Sequence, residues 1–176
     1  MAGPVAEGLD FTDIFAALNA AKVQYLVVGG IAAIYHGVPR TTFDVDLSVH
    51  LETVNLERLD RALTDLGFAP RVPAQVTGLA DPLTRRIWTR QKAMKVFSYI
   101  ERTAPFRVVD IMVRPLHGFH RLYQRRRIAT FGSVTVPIAP ASTIIQLKTG
   151  TGRIEDERDI ALLKRALQVL KRQGKR

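Results

Sequence analysis

Cysteine is absent from the 176 residues of the chain, and long apolar runs are absent as well. Without cysteine the protein cannot form disulfide bonds, cysteine-ligated zinc sites or cysteine-ligated iron–sulfur clusters. No apolar segment approaches the ~20 residues that are needed to span a bilayer. Residues 1–13 lack the basic region and the apolar core of a signal peptide. We therefore expect a cytoplasmic protein that has no membrane partner.

Acidic residues are scarce in the last third of the chain. Residues 1–111 contain 12 Lys/Arg and 12 Asp/Glu, whereas residues 112–176 contain 14 Lys/Arg and only 4 Asp/Glu. The whole net charge of +10 thus lies in the last 65 positions. Such an excess favours binding to a polyanion such as RNA, DNA or nucleotide phosphates. A solvated helix face with a basic tail is the alternative.

Helical and strand periodicities alternate along the sequence, which predicts a mixed α/β fold. Helices are predicted over residues 10–21, 31–37, 53–67, 117–127, 139–150 and 155–173. Strands are predicted over residues 24–28, 42–50, 85–90, 95–101 and 106–113, with a strand or hairpin over 128–138 and an irregular connection over 70–84. No repeat or linker interrupts the pattern. We expect one domain, 1–176, with a core at about 23–138 and a helical part at about 140–173.

Two aspartates lie one residue apart in the strand-like segment 42–50. Because side chains alternate along a strand, Asp44 and Asp46 project from one face, whereas Phe43 and Val45 belong to the core face. The two carboxylates lie roughly 7 Å apart along the strand, and they repel each other unless a cation lies beside them. Oxygen ligands of this kind suit Mg²⁺ or Mn²⁺. A half-exposed strand with solvated aspartates is the alternative.

A third aspartate, Asp110, lies inside the apolar segment "RVVDIMV". Such a run predicts a strand that is covered on both faces. A buried carboxylate without a partner costs several kcal/mol, on the order of the desolvation penalty of one ion. A cation held by Asp44 and Asp46 would supply that partner. An arginine, for example Arg107 or Arg40, is the competing partner.

A pair of glycines, Gly29 and Gly30, ends the apolar strand "QYLVV". Glycine is favoured where the backbone passes close to a bulky group or adopts dihedral angles that other residues avoid. A glycine turn that opens into a helix can present backbone N–H groups to an anion. The segment lacks both the G-x-G-x-x-G fingerprint and the Walker sequence. The glycines therefore predict a phosphate-binding turn of another type.

These segments together resemble the nucleotidyltransferase superfamily of the DNA polymerase β type: "GG", thirteen residues, "DVDL", and later "VVDIMV". The segment "VVGGIAAIYHGVPRTTFDVDL" is similar to the corresponding segment of minimal bacterial nucleotidyltransferases related to AbiEii-type toxins. The stretch "LKTGTGRIEDERDIALL" resembles the "LK…R…KD..D…L" segment of that group, with Glu155 where lysine is frequent. The resemblance spans roughly residues 23–165. It implies a mixed sheet flanked by helices, with a helical segment at the carboxyl terminus.

The resemblance also implies roles for individual residues. Asp44 and Asp46 would ligate the metal, and Asp110 would be the third carboxylate and the base that activates the incoming hydroxyl. Gly29 and Gly30 would shape the turn that binds the triphosphate. The other positions assigned to the nucleotide-binding site are Arg40, Lys148 and Arg153, with Asp156 and Asp159 as additional candidates.

The implied activity is metal-dependent transfer of a nucleoside monophosphate from an NTP to an acceptor hydroxyl, with Mg²⁺ or Mn²⁺ as cofactor. The basic excess favours RNA as the acceptor, for example a tRNA 3′ end. A toxin–antitoxin role would add a cognate antitoxin or partner protein. Two alternatives stay open: an AMP-transferring module that modifies protein side chains, and a non-catalytic domain of the same fold that binds nucleotides or nucleic acid.

Overall fold

A seven-stranded mixed sheet flanked by helices forms the centre of the computed structural model, which describes residues 10–173. The helices are α1 (Thr12–Ala20), α2 (Gly29–Tyr35), α3 (Thr53–Asp65), α4 (Pro82–Gln91), α5 (Phe119–Gln124), α6 (Ala141–Lys148) and α7 (Ile154–Gln173). The strands are β1 (Tyr25–Val27), β2 (Asp44–Val49), β3 (Phe68–Pro70), β4 (Val96–Glu101), β5 (Val108–Met112), β6 (Arg127–Phe131) and β7 (Val134–Ile138). The predicted mixed α/β class is confirmed.

The strand order is β3-β4-β5-β2-β1-β7-β6. The pairs β2–β5 and β1–β7 are parallel, and the other neighbouring strands are antiparallel. The two strands that carry the aspartates therefore lie side by side near the middle of the sheet. Their register places Asp46 directly opposite Asp110 and Asp44 opposite Val108.

The hydrophobic core lies between the sheet and the helices α1 and α3. Helical spacing places apolar side chains on one face of each helix, and their fully buried members are Ile14, Phe15, Leu18, Leu56, Leu59 and Leu63. Val45 and Leu47 of β2 are fully buried in the same cluster. Each buried side chain of this size contributes about 2 kcal/mol. The core thus fixes which face of β2 is apolar and leaves the aspartates on the opposite face.

Residues 85–90 are helical, so the strand predicted there is wrong. They belong to α4, which begins with Pro82 directly after Asp81. The Asp81 carboxylate accepts hydrogen bonds from the backbone N–H groups of Leu83 and Thr84, an arrangement that stabilises a helix start. A short 3-10 helix, Val76–Ala80, also replaces part of the predicted irregular connection.

Two details of the aspartate-bearing strands also differ from the sequence predictions. Phe43 is 68% exposed rather than part of the core, because β2 begins only at Asp44. The strand β5 is fully covered on one face only: Val109 and Ile111 are buried, whereas Asp110 is half-buried. In the part of the chain that the structure describes, no helix is both long and apolar enough to cross a membrane.

Candidate metal and nucleotide site

Three carboxylates converge on one face of the sheet. Asp46 and Asp110 are direct neighbours on the parallel strands β2 and β5, and Asp44 lies two residues before Asp46 on the same face. One oxygen from each carboxylate lies within 4.8 Å of the oxygens from the other two. The structure thus brings together the three residues that the sequence assigned to a metal site. An all-oxygen set of this size suits a hard divalent cation.

The local electrostatics disfavour ionisation of Asp46. Burial raises the pKa of Asp46, and the negative charges of Asp44 and Asp110 raise it further, to about 6. A hydrogen bond from the backbone N–H of Gly30 and the positive charge of Lys148 act in the opposite direction. A divalent cation at this place would remove the repulsion among the three carboxylates.

Asp110 has an oxygen atom that needs a partner. Its Oδ1 is buried and has no hydrogen-bond partner. Burial raises the pKa of Asp110, whereas a hydrogen bond from Ser98 lowers it. Neither arginine proposed as a partner pairs with Asp110, because Arg107 binds Asp13 and Glu101, and Arg40 is paired elsewhere. The positive charge of Arg71 lowers the pKa of Asp110, but none of the ion pairs within residues 10–172 involves Asp110. Its free oxygen therefore fits a cation ligand.

The raised pKa of Asp46 predicts a pH-dependent difference between the wild-type protein and Asp46→Asn in the absence of divalent metal. The folded-state pKa of about 6 lies above the ordinary value of 3.8, so ionised Asp46 destabilises the folded state above pH ~6. Asp46→Asn should be more stable by on the order of 2 kcal/mol at pH ~7.5. The difference should shrink as the pH falls below ~6 and should vanish only at about pH 3 or below, where the carboxyl is mostly protonated in both states.

Urea denaturation in EDTA at several pH values measures this difference directly. Asp65→Asn, which changes an exposed carboxylate at the end of α3, is the matched control and should show no such pH dependence. A stability gain of Asp46→Asn that is equal at both ends of the pH range would contradict the electrostatic explanation.

The two glycines pack against the aspartate strand. Gly29 has a φ of +60°, and a Cβ atom there would lie only 1.8 Å from Asp46 Oδ2. A Cβ atom on Gly30 would lie 2.4 Å from Thr42 Oγ1, and that hydroxyl donates a hydrogen bond of 2.8 Å to Asp44 Oδ1. The helix α2 begins at Gly29, two residues earlier than predicted. The group that requires these glycines is thus the aspartate strand itself.

A second charged cluster joins α6 to α7. Lys148 Nζ lies 2.6 Å from Asp156 Oδ1 and 2.8 Å from Asp159 Oδ2, and all three residues are at least nine-tenths buried. Arg40 Nη1 contacts the same Asp159 oxygen at 2.8 Å. Although burial alone would raise it, hydrogen bonds from Lys148 and Thr151 hold the pKa of Asp156 below its usual value.

Four of the five later candidates therefore form one ion-pair network, which comprises Arg40, Lys148, Asp156 and Asp159. Its charge acts on the carboxylate cluster, because Lys148 lowers the pKa of Asp46. The side chain of Arg153 is exposed; its charge lowers the pKa of Asp156, and its carbonyl accepts a hydrogen bond from the backbone N–H of Asp156. Sequence reasoning missed three polar contributors: Ser98 lies in no motif, and Thr42 and Thr151 lie in quoted segments at positions to which no role is assigned.

Replacing Lys148 by methionine should destabilise the fold. The change leaves Asp156 and Asp159 buried and close together without their shared cation, and breaking a buried ion pair in this way costs about 3 kcal/mol. We expect the urea midpoint to fall accordingly. Lys164→Met, at an exposed position of α7, is the matched control and should change the midpoint little. Equal midpoints for both variants would show that the network does not stabilise the docking of α7.

The sequence matches no protein-family model and no curated protein. Solved structures do match. The lincomycin-bound lincosamide antibiotic adenylyltransferase LnuA is 14% identical, with a TM-score of 0.56 over 90% of this chain and 98% of that one. The antibiotic-resistance factor ANT(2'')-Ia is 12% identical, with a TM-score of 0.56 over 93% and 88%. An antigenic nucleotidyltransferase-like protein from Paracoccidioides brasiliensis is 18% identical, with a TM-score of 0.52 over 86% and 72%.

These likenesses show the fold of the chain. It is the nucleotidyltransferase fold, as the resemblance of the glycine and aspartate segments implied. The narrower resemblance to AbiEii-type proteins stays a prediction.

Proposed function

We propose that the protein is a metal-dependent nucleotidyltransferase, which transfers a nucleoside monophosphate from an NTP to an acceptor hydroxyl and releases pyrophosphate. The observation that carries this proposal is the convergence of Asp44, Asp46 and Asp110 within 4.8 Å, together with the unpartnered buried oxygen of Asp110. Carboxylates that lie this close and form no ion pair within residues 10–172 are suited to holding a divalent ion rather than to stabilising the fold.

The three aspartates would hold Mg²⁺ or Mn²⁺, which supplies charge stabilisation for the transferring phosphoryl group when bound. In the reaction the acceptor oxygen forms a bond to the α-phosphorus, and the bond from that phosphorus to the bridging oxygen of pyrophosphate breaks. Asp110, whose pKa is raised by burial, would accept the proton of the acceptor hydroxyl. Gly29 and Gly30 would place the triphosphate beside Asp46, because the backbone approaches that side chain so closely.

The basic candidates would act on the phosphates in two ways. Arg153 is exposed and could contact the triphosphate directly. Lys148 and Arg40 are already paired with buried carboxylates, so their contribution would be a fixed positive potential beside the leaving pyrophosphate. Asp156 and Asp159 would hold these two cations in position.

RNA, for example a tRNA 3′ end, is the acceptor that we propose, because residues 112–176 carry the whole excess of positive charge. The resemblance to AbiEii-type toxins supports a cytoplasmic toxin–antitoxin role with a cognate antitoxin. A protein side chain is the second acceptor class. The fold match to a lincosamide antibiotic adenylyltransferase adds lincosamide antibiotics as a third class to be tested.

Incubation with each α-labelled NTP and Mg²⁺ or Mn²⁺ tests the proposal. Separate reactions contain total tRNA, cell lysate or a lincosamide antibiotic, and each is repeated with EDTA and with Asp44→Asn. Metal-dependent label in RNA that disappears with Asp44→Asn is the expected result. Label in protein or antibiotic would keep the enzyme class and replace the acceptor. If no acceptor is labelled by the wild-type protein, the non-catalytic alternative is favoured.

A further inference from the structure

Five arginines lie at and around α5, and they have no acidic partner in the part of the chain that the structure describes. Between Asp110 and Glu155 the sequence contains no Asp or Glu. None of the ion pairs within residues 10–172 involves these arginines. We call this set the arginine surface: Arg114, Arg121, Arg125, Arg126 and Arg127.

The arginine surface is exposed and is carried by a well-anchored segment. All its members except the half-buried Arg126 are exposed. The guanidinium group of Arg126 lies 4.2 Å from the centre of the Tyr123 ring, and its Nη1 donates a hydrogen bond to the Tyr123 carbonyl. Buried Phe119 stacks with Tyr123 and with His50 at the end of β2. The segment that carries the arginines is therefore packed against the core, and Arg126 is held by Tyr123.

The helix α2 links this surface to the carboxylate cluster. Its first residue, Gly29, packs against Asp46. Its last residue, Tyr35, donates a hydrogen bond of 3.2 Å to the carbonyl of Ile128, the residue that follows Arg127. Seven helical residues span about 10 Å. A chain molecule that reaches the carboxylates can therefore also contact the arginine surface.

We propose that the arginine surface binds the phosphate backbone of a polynucleotide acceptor, specifically RNA. This inference rests on the proposed function, since it names the surface that holds the acceptor of the same site. Unpaired arginines spread along a segment match the repeated phosphates of a polynucleotide. A basic surface that merely confers solubility normally has acidic residues interspersed, as α7 does with its acidic first turn.

Fluorescence anisotropy with a labelled single-stranded RNA of about 20 nucleotides tests the surface without NTP or divalent metal. The surface variant is Arg121→Gln, Arg125→Gln and Arg127→Gln combined. The control combines Arg58→Gln, Arg86→Gln and Arg90→Gln, which changes three exposed arginines of α3 and α4 and alters the net charge equally. We expect the surface variant to bind at least about tenfold more weakly at roughly 100 mM salt. The slope of the logarithm of the RNA association constant against the logarithm of the salt concentration should be shallower by about 2 for the surface variant than for the wild-type protein.

The control variant should bind RNA nearly as well as the wild-type protein. Equal weakening of the two variants would overturn the proposal, because it would show attraction by net charge alone. Tighter binding to single-stranded DNA of the same sequence, or to phosphatidylserine vesicles, would also overturn it. Because this assay involves no catalysis, its outcome is separate from that of the label-transfer test. RNA binding without label transfer would support the proposed RNA-binding surface and contradict the proposed enzymatic activity.

Discussion

Replacing Asp44, Asp46 or Asp110 singly by asparagine should reduce nucleotidyl transfer by roughly 10³-fold or more. Asparagine preserves the size of each side chain and removes one negative charge, so the cation would lose a ligand that the fold can do without. Steady-state transfer at saturating Mg²⁺ and NTP measures the loss. Asp65→Asn, with its carboxylate exposed and outside the cluster, should keep wild-type rates.

The fold of these variants should remain intact, which separates a catalytic loss from unfolding. In the metal-free protein Asp46→Asn should even be more stable than wild type at neutral pH, because its side chain no longer contributes to the repulsion. Circular dichroism and urea denaturation provide the check. Wild-type rates in any one of the three variants would remove that residue from the metal site.

The carboxylate cluster is the part of the molecule that the sequence predicted best, and the reason is local. Alternation along β2 is enough to place Asp44 and Asp46 on one face and the apolar side chains on the other. The contact of Asp46 with Asp110 depends on the parallel pairing of β2 with β5, which periodicity does not determine. The expectation of that contact came from the unfavourable energy of an isolated Asp110 and from the resemblance.

The partners of Lys148 could not be predicted in the same way. The motif predicted a lysine near the phosphates, but a lysine buried to this extent must be neutralised within the protein. The fold supplies Asp156 and Asp159, one turn apart on α7, for this purpose. In the protein without nucleotide, the ammonium group of Lys148 therefore contacts these two carboxylates. Any effect of its charge on phosphates is exerted while it remains in these ion pairs.

The prediction for helix α4 was wrong for a different reason, because the sequence contained the signal of a helix start and this signal was not used. The strand predicted over residues 85–90 is part of this helix. The adjacent Asp81 and Pro82 form the usual start of a helix, with a capping carboxylate before proline. Phe43 shows the opposite error: the strand predicted from the alternating pattern begins at residue 42, two residues before the hydrogen-bonded strand.

Gly29→Ala should reduce nucleotidyl transfer by at least about 100-fold, because it moves Asp46. A Cβ atom at Gly29 would lie 1.8 Å from Asp46 Oδ2 and 2.5 Å from its Cγ, so the carboxylate or the start of α2 must shift. A displacement of about 1 Å at a reacting centre is sufficient for a loss of this size. The φ of +60° adds backbone strain of about 1 kcal/mol.

Gly132→Ala separates the strain from the steric effect. Gly132 has a φ of +57° and nothing within 4 Å of the position of a Cβ atom, so alanine there should cost a similar strain of about 1 kcal/mol without affecting transfer. The comparison uses the urea midpoint for stability and the transfer rate for activity. If both variants lose stability equally and both retain activity, the close approach of Gly29 to Asp46 does not position the carboxylate for catalysis. A selective loss of activity in Gly29→Ala links the glycine pair to the metal ligand through direct contact.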